Sequence, residues 1–311
     1  MVHKACSRVG VGAVSLEEED WARLVAQLGR GDCTPFLGAG ACRTLPSGSE
    51  LSTRWAAEYE YPFADNGDLA QVMQYAAIRE GDAVYLKEKL CDYLGAAQTP
   101  DFADPVEPHS LLAKFPIPVF ITTNYDDFLV RALSLAGKSP NPKICSWWPG
   151  ADYDREFFET IPGMKPAPSA PLVYHLHGSM RLPKSLVLTE SDYLEFLVKI
   201  TTSRDDEALR IIPSAILSAL TDNPLLFIGY SLQDWTFRVL FHGLLRTIPG
   251  IHRRRNVSVQ LLPQVHHKRR EVEDRARRYL TRYLEDWRIS IFWGTAAEFC
   301  QELRRRIDSS A

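Results

Sequence analysis

Short apolar runs separated by amphipathic segments form the pattern of this chain. The strand-like runs are residues 33–37, 118–122, 172–176, 224–229, 257–262 and 289–293. Most of them are continuously apolar, which is typical of strands buried on both faces of a parallel sheet. Apolar residues at helical spacing fill the stretches between them, and helices are predicted among other places over residues 205–220 and 234–246. This alternation predicts an α/β fold with a doubly wound, mostly parallel, Rossmann-like sheet.

Two stretches depart from the alternation. From residue 51 to residue 94 the apolar positions recur at helical spacing, and the stretch is too long for one connection between a strand and a helix. It predicts a small helical insertion lobe that closes over the turn at Gly38. Residues 139–171 are rich in proline and glycine and contain Trp147 and Trp148, so we predict a long loop with little regular structure there.

Length and composition set broad limits. A chain of 311 residues can form one large α/β domain or two domains. We expect residues 1–15, which carry little pattern, to be mobile, and residues 16–311 to form one domain. Hydrophobic content of 45% and charged content of 24% are ordinary for a soluble globular protein.

The net charge and the spacing of the cysteines further narrow the classes of protein to which the chain can belong. The net charge of −3 gives no overall attraction to nucleic acid or to a membrane, although residues 251–311 hold 14 Lys/Arg and 8 Asp/Glu, a balance of +6. This basic part is consistent with binding to a polyanion or to an acidic partner, and equally with a solvated helix face that binds nothing. The cysteines are scattered without a C-x-x-C pair, and no run has the roughly 18 apolar residues of a membrane span. A reduced, cytoplasmic, soluble protein is expected.

Polar residues follow the apolar runs at four places. These segments are residues 36–40, 122–126, 174–178 and 228–235. Because open parallel sheets bind ligands at the carboxyl ends of their strands, we expect the segments to meet in one pocket.

Glycines occupy two of these turns. Gly38 and Gly40 follow the first run, where glycine lets the backbone approach a pyrophosphate and direct N–H groups at it, although many tight turns use the same pair. Gly229 permits a similar approach, and Ser231 can bind a phosphate or ribose oxygen. The segment lacks the second glycine of a nucleophile elbow, so Ser231 is not predicted to be a nucleophile.

Residues 122–126 read Thr-Thr-Asn-Tyr-Asp. Asn124 presents an amide and Asp126 a carboxylate, and at a strand end both can face one crevice. The alternative is an Asx turn that caps the helix beginning near Asp127. We expect one of these polar residues to cap the helix and the others to stay available for binding.

His175 and His177 lie two residues apart on a predicted strand, so we expect their side chains on one face. The spacing suits a metal pair, but no third ligand follows nearby, and no metal site is predicted. His177 precedes Gly178 at the end of the run, which is the position of a general base with a near-neutral pKa. His175 is predicted to be a hydrogen-bonded core residue.

Together these segments resemble the sirtuin superfamily, and in particular its non-zinc, sirtuin-like branch in bacterial anti-phage proteins. The resemblance covers about residues 21–307 and makes residues 16–311, with the insertion at 51–94, a sirtuin-like NAD-binding domain. The matching motifs are G-A-G at Gly38-Ala39-Gly40, T-T-N-Y-D at 122–126, the catalytic H-G at His177-Gly178 and G-x-S-L at 229–232.

The resemblance implies NAD⁺ as the substrate, no metal, and cleavage of the nicotinamide–ribose bond. His177 would be the base acting on the ribose hydroxyls. Asn124 would hold the ribose end and position the water, and Asp126 would contact the carboxamide. The nucleotide-binding positions that it implies are Gly38, Ala39, Gly40, Thr123, Asp126, Gly229 and Ser231.

Two features of the deacylases in this superfamily are missing. Leu-Pro-Ser-Gly-Ser at residues 45–49 replaces their P-D-F-R motif, and the zinc module of paired cysteines is absent. Both differences favour water over an acyl-lysine as the acceptor. We therefore expect an NAD⁺ glycohydrolase that depletes NAD⁺ in bacterial anti-phage defence. Deacylation or ADP-ribosyl transfer, and non-catalytic sensing of NAD⁺ or ADP-ribose, are the alternatives.

Control of such an activity is expected, because unregulated loss of NAD⁺ would kill the host. The chain has little spare length for a sensor domain, so we expect a homo-oligomer or a partner subunit. Sirtuin-like subunits of this size in some defence systems pair with a HerA-type ATPase, and the resemblance extends that expectation here. Direct binding to nucleic acid or to a membrane is not expected.

Overall fold

The computed structural model describes residues 16–151, 165–202, 211–230, 256–260, 270–285 and 288–310. Its strands form one seven-stranded sheet in the order β3-β4-β2-β1-β5-β6-β7, and every pairing is parallel. The strands are β1 Thr34–Leu37, β2 Val119–Thr122, β3 Asn141–Ile144, β4 Leu172–His175, β5 Leu225–Ile228, β6 Asn256–Gln260 and β7 Ile289–Trp293.

Helices cover both faces of this sheet. Successive strand residues alternate between the two faces, so that Phe36 packs with one apolar cluster and Leu37 with the other. The Phe36 cluster includes residues of α7, α8 and α9, whereas the Leu37 cluster includes residues of α1, α5, α6 and α10. The predicted doubly wound α/β fold is confirmed. The helices are α1 Glu18–Arg30, α2 Gly48–Glu58, α3 Leu69–Glu80, α4 Ala83–Gly95, α5 Pro108–Ala113, α6 Phe128–Leu135, α7 Glu190–Thr202, α8 Ser214–Asp222, α9 Arg270–Glu285 and α10 Ala296–Ser310.

The strand order reverses beside β1. The chain passes from β1 to β2 on one side, and β5 later pairs with the other side of β1. The next strand after β1 and the next strand after β5 thus lie on opposite sides of this pair, and such a reversal leaves a crevice at the carboxyl ends of the two strands. In open α/β sheets this switch point is where ligands bind.

Helices α2, α3 and α4 form the helical lobe, residues 48–95. Polar N-caps start each helix: Ser47 makes a capping box with Glu50, and Asp68 and Asp82 accept backbone N–H groups of α3 and α4. The lobe has its own apolar core, which also includes Leu186 and Leu188 from the segment after β4. The lobe is thus packed onto the part of the chain that follows His177.

Two element predictions were wrong. Strand β3 lies within the stretch predicted to be a loop. Its Pro142 is tolerated because β3 is an edge strand, which pairs on one side only, with β4. A helix is predicted over residues 205–220, but residues 211–213 lie outside any helix. Pro213 is the N-cap residue of α8, which begins at Ser214. Residues 1–15, 205–210 and 261–262 and the helix predicted from 234 to 246 lie outside the described residues.

Two further observations concern the described part of the chain. All of its cysteines are free, namely Cys33, Cys42, Cys91, Cys145 and Cys300. Among its helices, none has the length and apolar character needed to cross a bilayer.

Candidate active site

The polar segments singled out in the sequence meet at one edge of the sheet. Strands β4, β2, β1 and β5 are consecutive neighbours, and each is followed by one of these segments. Their registers are aligned, since Leu37 pairs with Thr122 and with Ile228, and Thr122 pairs with His175. Neighbouring strands are about 4.8 Å apart, so the residues that follow them are gathered within the span of a nucleotide.

The glycines of this edge pack two turns against each other. Gly38 N–H donates to the Ile228 oxygen at 2.8 Å, and Gly40 N–H donates to the Gly229 oxygen at 2.9 Å. Gly229 has a φ of 84°, and a Cβ there would lie 2.2 Å from the backbone nitrogen of Ala41, so only glycine fits. Ala39 and Gly40 are exposed at the open side of the edge.

The same bonds change how the turn can meet a phosphate. Two of the amides expected to face a pyrophosphate, those of Gly38 and Gly40, donate to the β5 turn instead. Ala39 N–H is the amide of this tripeptide that makes no such bond within the described residues. A pyrophosphate contact of these three residues stays a prediction.

Tyr230 connects the turn after β5 to the turn after β2, a role that no pattern in the sequence indicates. Its hydroxyl lies 2.9 Å from the hydroxyl of Thr123 and donates to the Leu37 oxygen at 2.9 Å. Thr123, predicted to bind nucleotide, is thus joined to the crevice between β1 and β5. Ser231, the next predicted ligand, lies outside the described residues.

Asn124 and Asp126 are both buried at this edge, with 8% and 5% of their surface exposed. Asp126 Oδ1 accepts the N–H of Phe128, the first residue of α6, at 2.9 Å, so the Asx turn is present one residue before the N-cap Asp127. Its second oxygen, Oδ2, is buried without a hydrogen bond in the described part. Burial raises the pKa of Asp126, and the charge of His109 partly offsets this increase.

His175 ends β4 and supports Asn124. Its Nδ1 lies 3.3 Å from the backbone oxygen of Asn124, and burial lowers the pKa of the imidazole to about 4. At that pKa the ring is neutral at pH 7 and Nδ1 carries the proton when it donates to Asn124. This agrees with the hydrogen-bonded core residue that the sequence predicted.

His177 lies in the turn after β4 rather than on the strand, which ends at His175. The prediction that both imidazoles stand on one strand was therefore wrong, because the chain turns at Leu176 towards Gly178. Gly178 has a φ of 89°, and a Cβ there would lie 2.2 Å from the oxygen of Ser185. That close approach lets Val187 N–H donate to the His177 oxygen at 2.9 Å.

The His177 side chain is buried and short of partners. Its exposed fraction is 5%, and Nε2 has no hydrogen bond within the described residues. The near-neutral pKa expected for His177 was wrong, because burial lowers the pKa of the ring to about 3 and leaves the imidazole neutral at pH 7. Sequence reasoning missed its neighbours Tyr193 and Phe196, because helical spacing alone marks them only as apolar residues of α7.

No group of three or more His, Cys, Asp or Glu residues in the described ranges is arranged to hold a metal ion. The groups at this edge are a buried neutral imidazole, an amide and a carboxylate beside a glycine turn. Such a set can bind a polar ligand and exchange a proton with it.

A family model described as a SIR2-like domain matches residues 118–292, which is more than half of the 311-residue chain. The chain belongs to the SIR2-like domain family. This confirms the resemblance drawn from the strand-end motifs. The match includes the segments of Asn124, His177 and Gly229, while the Gly38 turn and the helical lobe precede it.

Curated relatives carry the name NAD(+) hydrolase ThsA. The chain is 27% identical over 218 residues to the one from Acinetobacter baumannii (strain 532279), which is 68% of this chain and 39% of that protein. The relative from Cytobacillus dafuensis is 27% identical over 201 residues, which is 64% of this chain and 35% of that protein. The relative from Enterococcus faecium is 26% identical over 208 residues, which is 66% of this chain and 38% of that protein. The matched part of this chain thus spans less than two fifths of the length of these relatives.

Proposed function

We propose that this SIR2-like domain is an NAD⁺ glycohydrolase that cleaves the nicotinamide–ribose bond to give nicotinamide and ADP-ribose. The observation that carries the proposal is the pairing of β2 with β4, which puts Asn124 after the end of one strand and a buried His177, without an Nε2 partner in the described residues, after the end of its neighbour. The similarity to proteins named NAD(+) hydrolase supports the choice of substrate.

The glycine turn and its surroundings hold the nucleotide in this proposal. Gly38, Ala39 and Gly40 lie against the pyrophosphate, to which Ala39 N–H donates, and small residues there admit the phosphates. Gly229 and Ser231 lie near the adenosine half, and Thr123 borders the crevice between the two. Asp126 accepts the carboxamide N–H groups with Oδ2, the oxygen that α6 does not use.

Bond cleavage needs no nucleophilic side chain. The electron pair of the C–N bond moves to the nicotinamide ring nitrogen, and C1′ becomes an oxocarbenium-like centre that polar groups stabilise. A water held by Asn124 forms the new C–O bond. His177 accepts a proton from a ribose hydroxyl during cleavage and later releases it to solvent, and the proton that the attacking water loses restores that hydroxyl.

The low pKa of His177 has a consequence for this scheme. A neutral imidazole with a pKa of about 3 can accept a hydrogen bond but is a weak base. The negative charges of a bound pyrophosphate stabilise the protonated ring and raise its pKa. The histidine therefore becomes a better base when the dinucleotide is present.

The test is to incubate the purified chain with NAD⁺ and to measure the release of nicotinamide by chromatography. We expect His177→Ala and Asn124→Ala each to lower the rate at least about a hundredfold, the effect of losing one acid–base or water-positioning group. Circular dichroism and thermal unfolding check that the variants fold. Unchanged release by His177→Ala would refute the base assignment, and consumption of NAD⁺ only with an acetyl-lysine peptide would identify a deacylase instead.

The biological setting belongs to the same proposal. The chain acts in the bacterial cytoplasm as an NAD⁺-depleting effector of anti-phage defence, and self-assembly or a partner subunit such as a HerA-type ATPase controls it. Light scattering combined with activity at several protein concentrations tests this control. A monomer that is fully active at every concentration without a partner contradicts it.

A further inference from the structure

Helix α7 covers the imidazole of His177 with two aromatic rings. Tyr193 and Phe196 meet it edge-on, with ring centroids 5.5 and 5.1 Å away. Because Nε2 of His177 has no hydrogen bond in the described part of the chain, the orientation of the ring depends on these packing contacts. The position of α7 therefore affects the orientation of this ring.

A buried ion pair holds the first turn of α7. Asp192 Oδ1 lies 2.8 Å from Lys87 Nζ, and the two side chains are 14% and 6% exposed. The other oxygen, Oδ2, accepts the backbone N–H groups of Leu188 and Thr189 at 3.0 and 2.9 Å. One carboxylate thus caps α7 and binds it to α4 of the helical lobe.

Two other contacts follow the same route. Lys87 Nζ lies 5.3 Å from the ring centroid of Trp147, whose ring is 6.5 Å from that of Phe196. Ser191 N–H, also in the first turn of α7, donates to Gln74 Oε1 of α3 at 3.0 Å. Contacts therefore run from the lobe to the rings against His177.

We infer that Lys87 and Asp192 are positioning residues, which set the orientation of the His177 imidazole through α7. An ion pair at this depth is a poor means of gaining stability, because apolar residues of similar volume often serve as well. It does select one geometry, since moving α7 away from α4 would leave an unpaired buried charge. The lobe thereby determines how the histidine meets the ribose, a consequence that rests on the proposed NAD⁺ hydrolysis.

Lys87→Met tests the inference, with Lys89→Met as its matched control. Lys89 lies on the same helix and is bonded to Tyr59 at 2.7 Å and to Glu58 at 3.4 Å, but these partners belong to the lobe. We expect Lys87→Met to lower kcat for nicotinamide release at least about tenfold, as misplaced catalytic groups do, with KM changed less than about twofold. Lys89→Met should leave both constants unchanged, and Lys87→Arg should restore part of kcat.

An NMR measurement on the full chain with ¹⁵N-labelled histidine gives a readout independent of turnover. The imidazole signal of His177 is identified by its loss in His177→Gln. We expect Lys87→Met to shift or broaden this signal and Lys89→Met to leave it in place. If Lys87→Met does not fold, Asp192→Asn, which keeps an acceptor for the α7 cap, is measured instead and should give the same shift.

The outcomes separate the two claims. A wild-type chain that never releases nicotinamide refutes the proposed function, while the NMR signal still tests the positioning role. A Lys87→Met protein that is less stable but keeps both the His177 signal and kcat would overturn the inference, because the ion pair would then be structural only.

Discussion

His175 and Asn124 are joined by one hydrogen bond between neighbouring strand ends, since the imidazole Nδ1 lies 3.3 Å from the backbone oxygen of Asn124. The main chain adds a second link, because Leu176 N–H donates to the Thr122 oxygen at 2.8 Å. The end of β2 and the end of β4 are therefore fixed to each other immediately before His177. This is how segments about fifty residues apart present their polar groups together.

Asp126→Asn separates capping from ligand binding. Asparagine is as good a cap as aspartate, so we expect the free energy of unfolding to change by less than about 0.5 kcal/mol. Loss of the carboxylate Oδ2 should raise KM for NAD⁺ at least about tenfold, the cost of one charged hydrogen bond. Chemical denaturation and steady-state kinetics measure the two effects.

The matched control for that substitution is Asp82→Asn in the lobe. Asp82 caps α4 by accepting the N–H groups of Val84 and Tyr85, away from the strand ends. It should change neither stability nor KM. An unchanged KM in Asp126→Asn as well would show that Asp126 serves α6 alone.

The buried histidines predict how stability depends on pH. The pKa of His177 is lowered from 6.5 to about 3, so between these values the unfolded chain binds a proton that the folded chain does not. Stability therefore falls as the pH drops below 6.5. Between pH 7 and pH 5 the loss is about 2 kcal/mol for this residue, and His175, with a pKa of about 4, adds a similar loss.

His177→Gln removes one of these two contributions. We expect urea denaturation to show a loss between pH 7 and pH 5 that is smaller than that of the wild type by about 2 kcal/mol. An identical pH dependence in both proteins would mean that His177 takes up protons in the folded chain, and that the imidazole is not buried in solution.

Gly229→Ala should displace the turn that follows β1. Its φ of 84° strains any other residue, and a Cβ would lie 2.2 Å from the backbone nitrogen of Ala41. Gly137→Ala is the control, because Gly137 has a φ of 79° but nothing within 4 Å of a Cβ. The control should cost about 1–2 kcal/mol from backbone strain alone, and Gly229→Ala clearly more. Equal losses on denaturation would exclude the close contact between the two turns.

Thr123 and Tyr230 should be energetically coupled. Their hydroxyl groups lie 2.9 Å apart, and Tyr230 also donates to the Leu37 oxygen. In a double-mutant cycle of Thr123→Val and Tyr230→Phe, we expect a coupling free energy of about 0.5–1.5 kcal/mol. Additive effects would show that the bond contributes nothing to stability and that Thr123 is free to serve the nucleotide.

Much of the site could be predicted from the sequence because its signals are local. Apolar runs mark buried parallel strands, and Gly38, Asn124, His177 and Gly229 each lie at or within two residues of the end of such a run. Chain direction alone then places these residues at the same edge of the sheet. The Asx turn of Asp126 and the hydrogen-bonded His175 were also within reach, since both depend on nearby residues.

The remaining features depend on contacts between distant parts of the chain. Lys87 and Asp192 are separated by 105 positions, and no local pattern indicates that they pair. The tertiary structure also decided that Gly38 N–H donates to β5, that Tyr230 reaches Thr123, and that α7 covers His177. Local spacing determines which groups reach the edge of the sheet, whereas packing between elements determines which of their atoms are left for a ligand.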